Sequence, residues 1–214
     1  INGESREVEA PPSTTLLDLL RDHHAMTGTK RVCDRGSCGA CTVLLDGRTV
    51  DSCSMLAIDA VGREITTVEG IGTVENLTDL QKAFVEKDAL QCGFCQPGMI
   101  CPAHALLEAK PDPSLGEIRA ALGGNLCRCT GYTKIFEAVQ LAAKNLDGLA
   151  DQSTPGLQVP IRYGEPADGF LVLGARGRKA DSIRKAVGTE IYADDIALPR
   201  MAHGRILRSP FPHA

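Results

Sequence analysis

The chain has 214 residues, with 23 Lys and Arg against 27 Asp and Glu, and a formal net charge of −4. It has no Trp, and five Phe and three Tyr on an acidic chain are too few for a nucleic-acid-binding surface. No apolar run approaches 18 residues, which excludes a membrane-spanning helix. The feature that needs an explanation is the presence of nine cysteines.

The first seventy residues carry the patterns of short strands and one helix. A weak alternation predicts a strand over 1–10, leucines at helical spacing predict a helix over 14–25, and strands are predicted over 42–45, 48–52 and 64–68. Asp46-Gly47 is a type I′ turn signal, so Leu45 should pair with Arg48. In that register Cys53 returns to within one residue of the position opposite Cys41.

After Gly72 the apolar period changes from two to 3.6, which predicts four short helices. They are expected over 77–89, 99–109, 115–122 and 132–146. Ser114 and Glu117 fit a capping box at the start of the third helix, and Gly123-Gly124 would end it. Four such helices with inward ligands would form a small bundle.

The remainder of the chain reads differently. Residues 149–184 contain three prolines among glycines and polar residues, and they are predicted to be an extended linker. Residues 185–214 are too few to bury a core alone, and Asp194-Asp195 within them is interpreted as a solvated turn. Because residue 1 is Ile and the chain stops abruptly at Ala214, we expect the encoded protein to extend beyond both ends.

Spacing divides the cysteines into two groups of four and one outlier. The first group reads C-x4-C-x2-C-x11-C, the plant-type [2Fe–2S] ligand pattern, and the second reads C-x2-C-x31-C-x-C. The two groups are Cys33, Cys38, Cys41 and Cys53, then Cys92, Cys95, Cys127 and Cys129. Each group supplies the four thiolates that one [2Fe–2S] cluster requires. Cys101 lies on an apolar helical stretch and is interpreted as a buried structural thiol.

The surroundings of the two groups favour clusters. Gly36 and Gly39 allow the loop between the first three cysteines to wrap a small anionic group and point its N–H groups at sulfur. The second group is predicted at helix N-termini, which favour thiolates and anionic clusters.

Other uses of the cysteines fit less well. Nine is odd, so a complete disulfide framework would leave one thiol over. Structural zinc stays an alternative for either group, although Cys53 has no close partner and C-x-C is tighter than a usual zinc knuckle. A dithiol redox motif at Cys92 and Cys95 is disfavoured by the paired Cys127 and Cys129 downstream.

Three stretches carry a resemblance: CDRGSCGACTVLLDG at 33–47, QCGFCQPGM at 91–99 and GNLCRCTGY at 124–132, with ITTVEGIG between the first two. They resemble the iron–sulfur portion of the molybdenum hydroxylases, the xanthine dehydrogenase and aldehyde oxidoreductase family. The resemblance covers about residues 1–146 and includes all eight ligand positions.

The resemblance implies an α+β chain. A plant-type, ferredoxin-like β-grasp domain is expected at 1–72 and an all-α four-helix domain at 73–148, each with one [2Fe–2S] cluster, followed by the extended linker. Gln91 matches a family position that touches the pterin of a molybdopterin-type molybdenum cofactor. Cys129 matches the ligand that links the pterin to the second cluster. That cofactor would be held mainly by a downstream portion or a partner subunit.

Residues 185–214 resemble the opening of the family's molybdenum-binding portion. Because only a linker separates it from the iron–sulfur portion, the order is similar to that of the flavin-less aldehyde oxidoreductases. The catalytic groups at molybdenum would lie downstream, and none is predicted in this chain.

The favoured hypothesis is an electron relay within an oxidoreductase that hydroxylates an aldehyde, a purine or another N-heterocycle. The second cluster would take electrons from the molybdenum centre, and the first would pass them to a flavin subunit, a ferredoxin or a flavodoxin. The alternatives are a free-standing two-cluster ferredoxin-like carrier and a zinc-stabilised binding module. A cytoplasmic, oligomeric complex is expected.

Overall fold

A β-hairpin organises the first part of the chain in the computed structural model, which describes residues 1–146, 179–202, 204 and 206–211. β1 (Thr42–Leu45) and β2 (Arg48–Asp51) pair antiparallel, with Leu45 opposite Arg48, as predicted. The backbone φ angles of Asp46 and Gly47 are 49° and 75°, the positive values that a type I′ turn requires. β3 (Ile65–Thr66) pairs with the other edge of β1, so the sheet order is β2-β1-β3.

β1 faces a different core on each side, because successive side chains of a strand point to opposite faces. Val43 and Leu45 pack with Leu16, Leu19 and Leu20 in the first core. Leu44 belongs instead to the core of the helical part. This shared strand explains why all four residues of β1 are buried.

The helix predicted over 14–25 is shorter and less regular. α1 spans Leu16–Asp18 and continues as a π-helical turn over Leu19–His23. Thr15 is the N-cap, and its hydroxyl accepts a hydrogen bond from the Asp18 N–H at 3.1 Å.

The strand predicted over 1–10 is wrong. The Asn2 N–H donates to the Ile65 carbonyl at 2.8 Å, but positive φ angles at Asn2 and Gly3 turn the chain away after that contact. No residue from 1 to 10 is in a strand.

All four helices predicted between 77 and 146 are present, after a short helix α2 (Val68–Ile71). They are α3 (Asp79–Glu86), α4 (Gln96–Ala109), α5 (Leu115–Ala121) and α6 (Thr133–Leu146). Capping boxes start α3 at Thr78 and α5 at Ser114. α4 begins three residues earlier than predicted, because Pro97 in the first turn has a φ suited to a helix and its missing N–H is not needed there.

The segment after the predicted linker folds back on the helices. Residues 149–178 of the linker lie outside the described residues, whereas 182–184 belong to α7 (Ser182–Ala186), so the predicted boundary at 184 falls inside a helix. The Gln81 side chain donates to the Ala186 carbonyl at 3.2 Å and ties α7 to α3. Of the helices in the described part, none is long and apolar enough to cross a membrane.

The interpretation of Asp194-Asp195 as a solvated turn is wrong for Asp195. Its side chain is only 2% exposed and lies 2.7 Å from the Arg21 guanidinium and 2.9 Å from the Lys30 ammonium. The two cations come from the first part of the chain, so a local reading of the turn could not reveal them.

Candidate metal centres

The first cysteine group is brought together by the loop before β1 and the turn after β2. The thiol of Cys33 interacts with that of Cys38, and the thiol of Cys41 with that of Cys53. Cys41 and Cys53 also pack together in a small buried cluster. The hairpin register produces this approach, since the Ser52 hydroxyl next to Cys53 donates to the Cys41 carbonyl at 2.7 Å.

Backbone N–H groups of the loop point at the sulfurs of this group. The Gly36 N–H donates to Cys53 Sγ at 3.2 Å, and the Ser37 N–H donates to Cys33 Sγ at 3.3 Å. Gly36 and Gly39 both have φ of 67°, a left-handed conformation that glycine adopts without strain. The loop therefore has the N–H···S geometry that an anionic iron–sulfur cluster needs.

The second group joins the start of α4 to the loop between α5 and α6. Cys129 Sγ lies 3.5 Å from Cys92 Sγ, and the thiol of Cys95 interacts with that of Cys127. Cys95 is the N-cap residue of α4, where the helix dipole favours negative charge. Cys92 and Cys129 are exposed, whereas Cys95 and Cys127 are partly buried.

Each group is therefore arranged as two thiol pairs. Structural zinc needs four ligands around one ion, whereas a [2Fe–2S] cluster takes two ligands at each of two irons. The pairwise arrangement fits the cluster better than zinc.

The thiols differ in how readily they ionise. Hydrogen bonds from the backbone of Ser37 and Arg35 lower the pKa of Cys33 to about 7. Burial raises the pKa of Cys41 to about 12 and also raises the pKa of Cys95. Because metals bind the thiolate, loading the buried pairs must release protons.

Cys101 belongs to neither group of four cysteines. It is fully buried in the hydrophobic core of the helical part, and burial raises its pKa. Its interpretation as a structural thiol agrees with this position.

Three residues that the sequence analysis did not single out shape the second cysteine loop, and two of them, Asn125 and Leu126, also join it to the first. The Asn125 side-chain amide lies 2.8 Å from the Gly39 carbonyl, and the Leu126 N–H donates to the Cys38 carbonyl at 2.9 Å. Tyr132 accepts from the Cys127 N–H at 2.8 Å and donates to the Asn125 carbonyl at 3.2 Å. The signal was their position, since Asn125 and Tyr132 flank the cysteine pair within the stretch GNLCRCTGY.

Gln91 lies at the exposed end of the second group. It immediately precedes Cys92, and both residues are exposed, as is Cys129. The Gln91 carbonyl accepts hydrogen bonds from the Lys179 and Lys185 ammonium groups, the latter at 3.2 Å. The two residues expected to meet the pterin, Gln91 and Cys129, are thus on an accessible side of the second group.

Comparison with known proteins identifies the family. Two family models match, a 2Fe-2S iron-sulfur cluster binding domain over residues 1–65 and a [2Fe-2S] binding domain over 67–140. The nicotinate dehydrogenase small FeS subunit of Eubacterium barkeri is 48% identical over 144 residues, which are 67% of this chain and 92% of that subunit. The chain belongs to the iron–sulfur portion of the molybdenum hydroxylase family. The predicted family is thereby confirmed, together with its two-domain arrangement.

Two solved structures resemble this molybdenum hydroxylase portion. The aldehyde oxidoreductase from Desulfovibrio gigas matches with a TM-score of 0.77 and 36% identity, and the match covers 91% of this chain and 21% of the aldehyde oxidoreductase chain. The quinoline 2-oxidoreductase from Pseudomonas putida 86 has a TM-score of 0.65 and 44% identity, covering 68% of this chain and 91% of its own. The chain thus spans about a fifth of the aldehyde oxidoreductase and matches nearly all of the quinoline 2-oxidoreductase chain.

Proposed function

We propose that this chain relays electrons, one at a time, from a molybdopterin-bound molybdenum centre to an external acceptor. The observation that carries the proposal is the presence of two separate sets of paired thiols whose loops are hydrogen-bonded to each other. Each bound [2Fe–2S] cluster would supply a one-electron redox centre. Two such centres in series suit a two-electron oxidation of a substrate.

The thiol pairs support an assignment of ligands to individual irons. In the first cluster, Cys33 and Cys38 would bind one iron, and Cys41 and Cys53 the other. In the second cluster, Cys92 and Cys129 would share one iron, and Cys95 and Cys127 the other. The mutual contacts within each pair support this assignment.

The two clusters would exchange electrons with different partners. Gln91 and Cys129 lie on the exposed side of the second group, which suits contact with the pterin of the molybdenum cofactor. Residues 34–37 of the first loop are exposed, and Cys33 beside them is partly exposed. We therefore place the external acceptor, a flavin subunit, a ferredoxin or a flavodoxin, at the first cluster.

The larger protein is proposed to follow the one-chain order of the aldehyde oxidoreductases. Residues 1–72 would be the β-grasp domain, 73–148 the four-helix domain, and 185–214 the opening of the molybdenum-binding portion. The match to the Desulfovibrio gigas enzyme supports this order, because it covers 91% of this chain. The substrate class would be an aldehyde or an N-heterocycle. Cysteines that must stay reduced to bind iron suit a reducing cytoplasm.

Metal analysis and EPR spectroscopy test the relay. The purified protein should contain about four irons per chain, the content of two [2Fe–2S] clusters, with two distinct EPR signals after reduction. Zinc without iron would overturn the proposal. Copurification of molybdenum with the same polypeptide or a partner would separate the relay from the alternative, a free-standing two-cluster carrier.

Two cysteine variants make this test more specific. Cys129→Ser should remove or alter the second EPR signal and leave the first largely intact. Cys101→Ala is the matched control, because this buried thiol is not a proposed ligand, and it should keep both signals. Loss of both signals in Cys129→Ser would contradict two separate centres.

A further inference from the structure

The segment from Lys179 to Asp195 lies against the loop that carries Cys92 and Cys95. The Tyr192 hydroxyl donates to the Cys92 carbonyl at 2.7 Å. The Tyr192 ring meets the Phe94 ring edge-on, with centroids 4.8 Å apart. A residue 100 positions away thus donates a hydrogen bond to the backbone carbonyl of Cys92, whose sulfur is a proposed ligand of the second cluster.

Tyr192 is held in place by the first part of the chain. The Lys30 ammonium lies 4.6 Å from the Tyr192 ring centroid, within cation–π range. Lys30 is itself paired with Asp195, whose carboxylate also accepts from the Tyr192 N–H at 3.0 Å. Arg21 completes the buried ion cluster, so the Tyr192 backbone and ring are both fixed.

The same segment places positive charge beside the ligand loop. Lys179 and Lys185 both donate to the Gln91 carbonyl, directly before Cys92. Asp181 offsets one of these two positive charges, because its carboxylate lies 2.5 Å from the Lys185 ammonium and 4.0 Å from that of Lys179. The Lys185 side chain is 8% exposed, so its charge is weakly screened by solvent.

We propose that Lys185 and Tyr192 are positioning residues that raise the reduction potential of the second cluster. Reduction adds one negative charge to the cluster, and the nearby Lys185 ammonium stabilises the reduced form more than the oxidised form. The Tyr192 hydroxyl acts in the same direction but more weakly, because it offsets the partial negative charge of the Cys92 carbonyl. A higher potential makes the second cluster a better acceptor for electrons from molybdenum. The inference rests on the proposed ligand set of Cys92, Cys95, Cys127 and Cys129.

A redox titration followed by EPR measures the effect in the iron-loaded protein. Lys185→Met should lower the midpoint potential of the second cluster, and Lys185→Arg should preserve it, because only the methionine removes the charge. Tyr192→Phe should also lower the potential, since it keeps the ring against Phe94 and Lys30 but loses the hydroxyl. The potential of the first cluster should stay at its wild-type value in all three variants.

Lys110→Met is the matched control. Lys110 also pairs with a carboxylate, that of Glu117, but its side chain is 51% exposed, and the length of α4, about 20 Å, separates it from Cys95. It should leave both potentials unchanged.

The outcomes separate this inference from the relay itself. Two EPR signals with unchanged potentials in Lys185→Met and Tyr192→Phe would overturn the positioning role and leave the relay standing. A wild-type protein without a second [2Fe–2S] signal would overturn the ligand set. If Lys185→Met fails to retain the cluster, Tyr192→Phe decides the question, because it removes only one oxygen atom.

Discussion

The side-chain nitrogen of Asn125 lies 2.8 Å from the carbonyl oxygen of Gly39, which is 86 residues earlier in the chain. The same nitrogen is 2.7 Å from the Gly98 carbonyl and 3.1 Å from the Thr42 hydroxyl. Asn125 is 5% exposed. One buried amide therefore connects the first cysteine loop, the first turn of α4 and the loop that leads to Cys127.

Replacing Asn125 with Ala should destabilise the protein by about 1–3 kcal/mol, because buried oxygen acceptors lose their donor without access to water. Urea unfolding of the iron-loaded protein measures the change. Asn76→Ala is the control, since Asn76 is exposed and should change the unfolding free energy by less than about 0.5 kcal/mol. Equal effects of the two substitutions would contradict the connecting role of Asn125.

Replacing two helical glycines with alanine should change the stability of the protein in opposite directions. A Cβ at Gly98 would overlap the Gly39 carbonyl oxygen and lie 2.9 Å from the Ala40 Cα, so Gly98→Ala should destabilise the protein by about 1–3 kcal/mol. A Cβ at Gly116 in α5 meets nothing closer than 3.9 Å. Gly116→Ala should therefore stabilise the protein by about 0.5–1 kcal/mol, as Ala favours a helix over Gly. Thermal unfolding distinguishes the two signs.

Removing the charge of Asp195 should be costly. Asp195→Asn leaves Arg21 and Lys30 buried without their carboxylate, and breaking such a buried cluster should cost about 3 kcal/mol of unfolding free energy. Asp194→Asn changes an exposed neighbour and should cost less than about 0.5 kcal/mol. Similar urea midpoints for the two variants would show that the buried pairing does not contribute to stability.

The Asp195 pairing also predicts a dependence on pH. Burial would raise the pKa of Asp195, but hydrogen bonds from Arg21 and Lys30 outweigh burial and lower it. One carboxylate pairs with two cations, so the charged form of Asp195 is favoured more strongly than the charged form of Lys30. Burial lowers the pKa of Lys30.

Because the pKa of Asp195 is lower in the folded than in the unfolded protein, its stabilisation is present above about pH 3.9 and lost as pH falls through the folded pKa. The difference in unfolding free energy between wild type and Asp195→Asn should be full at pH 7 and shrink only below about pH 4. A difference that already shrinks near pH 6 would assign the effect to another group.

Local signals predicted much of the fold and the approach of Cys53 to Cys41. The Asp46-Gly47 turn sets the pairing of Leu45 with Arg48, and that register returns Cys53 to Cys41. The capping box at Ser114 places the start of α5 correctly. These predictions succeed because the interacting residues lie a few positions apart, where backbone geometry leaves few alternatives.

Predictions failed where distant residues decide the structure. The weak alternation over 1–10 does not show that Asn2 is hydrogen-bonded to Ile65 and Thr67, more than 60 residues later, at the point where the chain turns away from β3. The acidic pair at 194–195 does not show that Arg21, 174 residues earlier, lies beneath Asp195. Asn125 likewise acquires its role only when Gly39 and Gly98 are brought to it.

The sequence by itself determined the spacing that divides eight cysteines into two proposed ligand sets of four, because spacing along the chain is a local property. Tertiary structure alone decided how those sets are divided into thiol pairs, how Asn125 joins their loops, and where the segment ending at Asp195 docks. The physical reason is that thiol contacts, buried amides and ion pairs depend on packing between segments that the chain order leaves far apart.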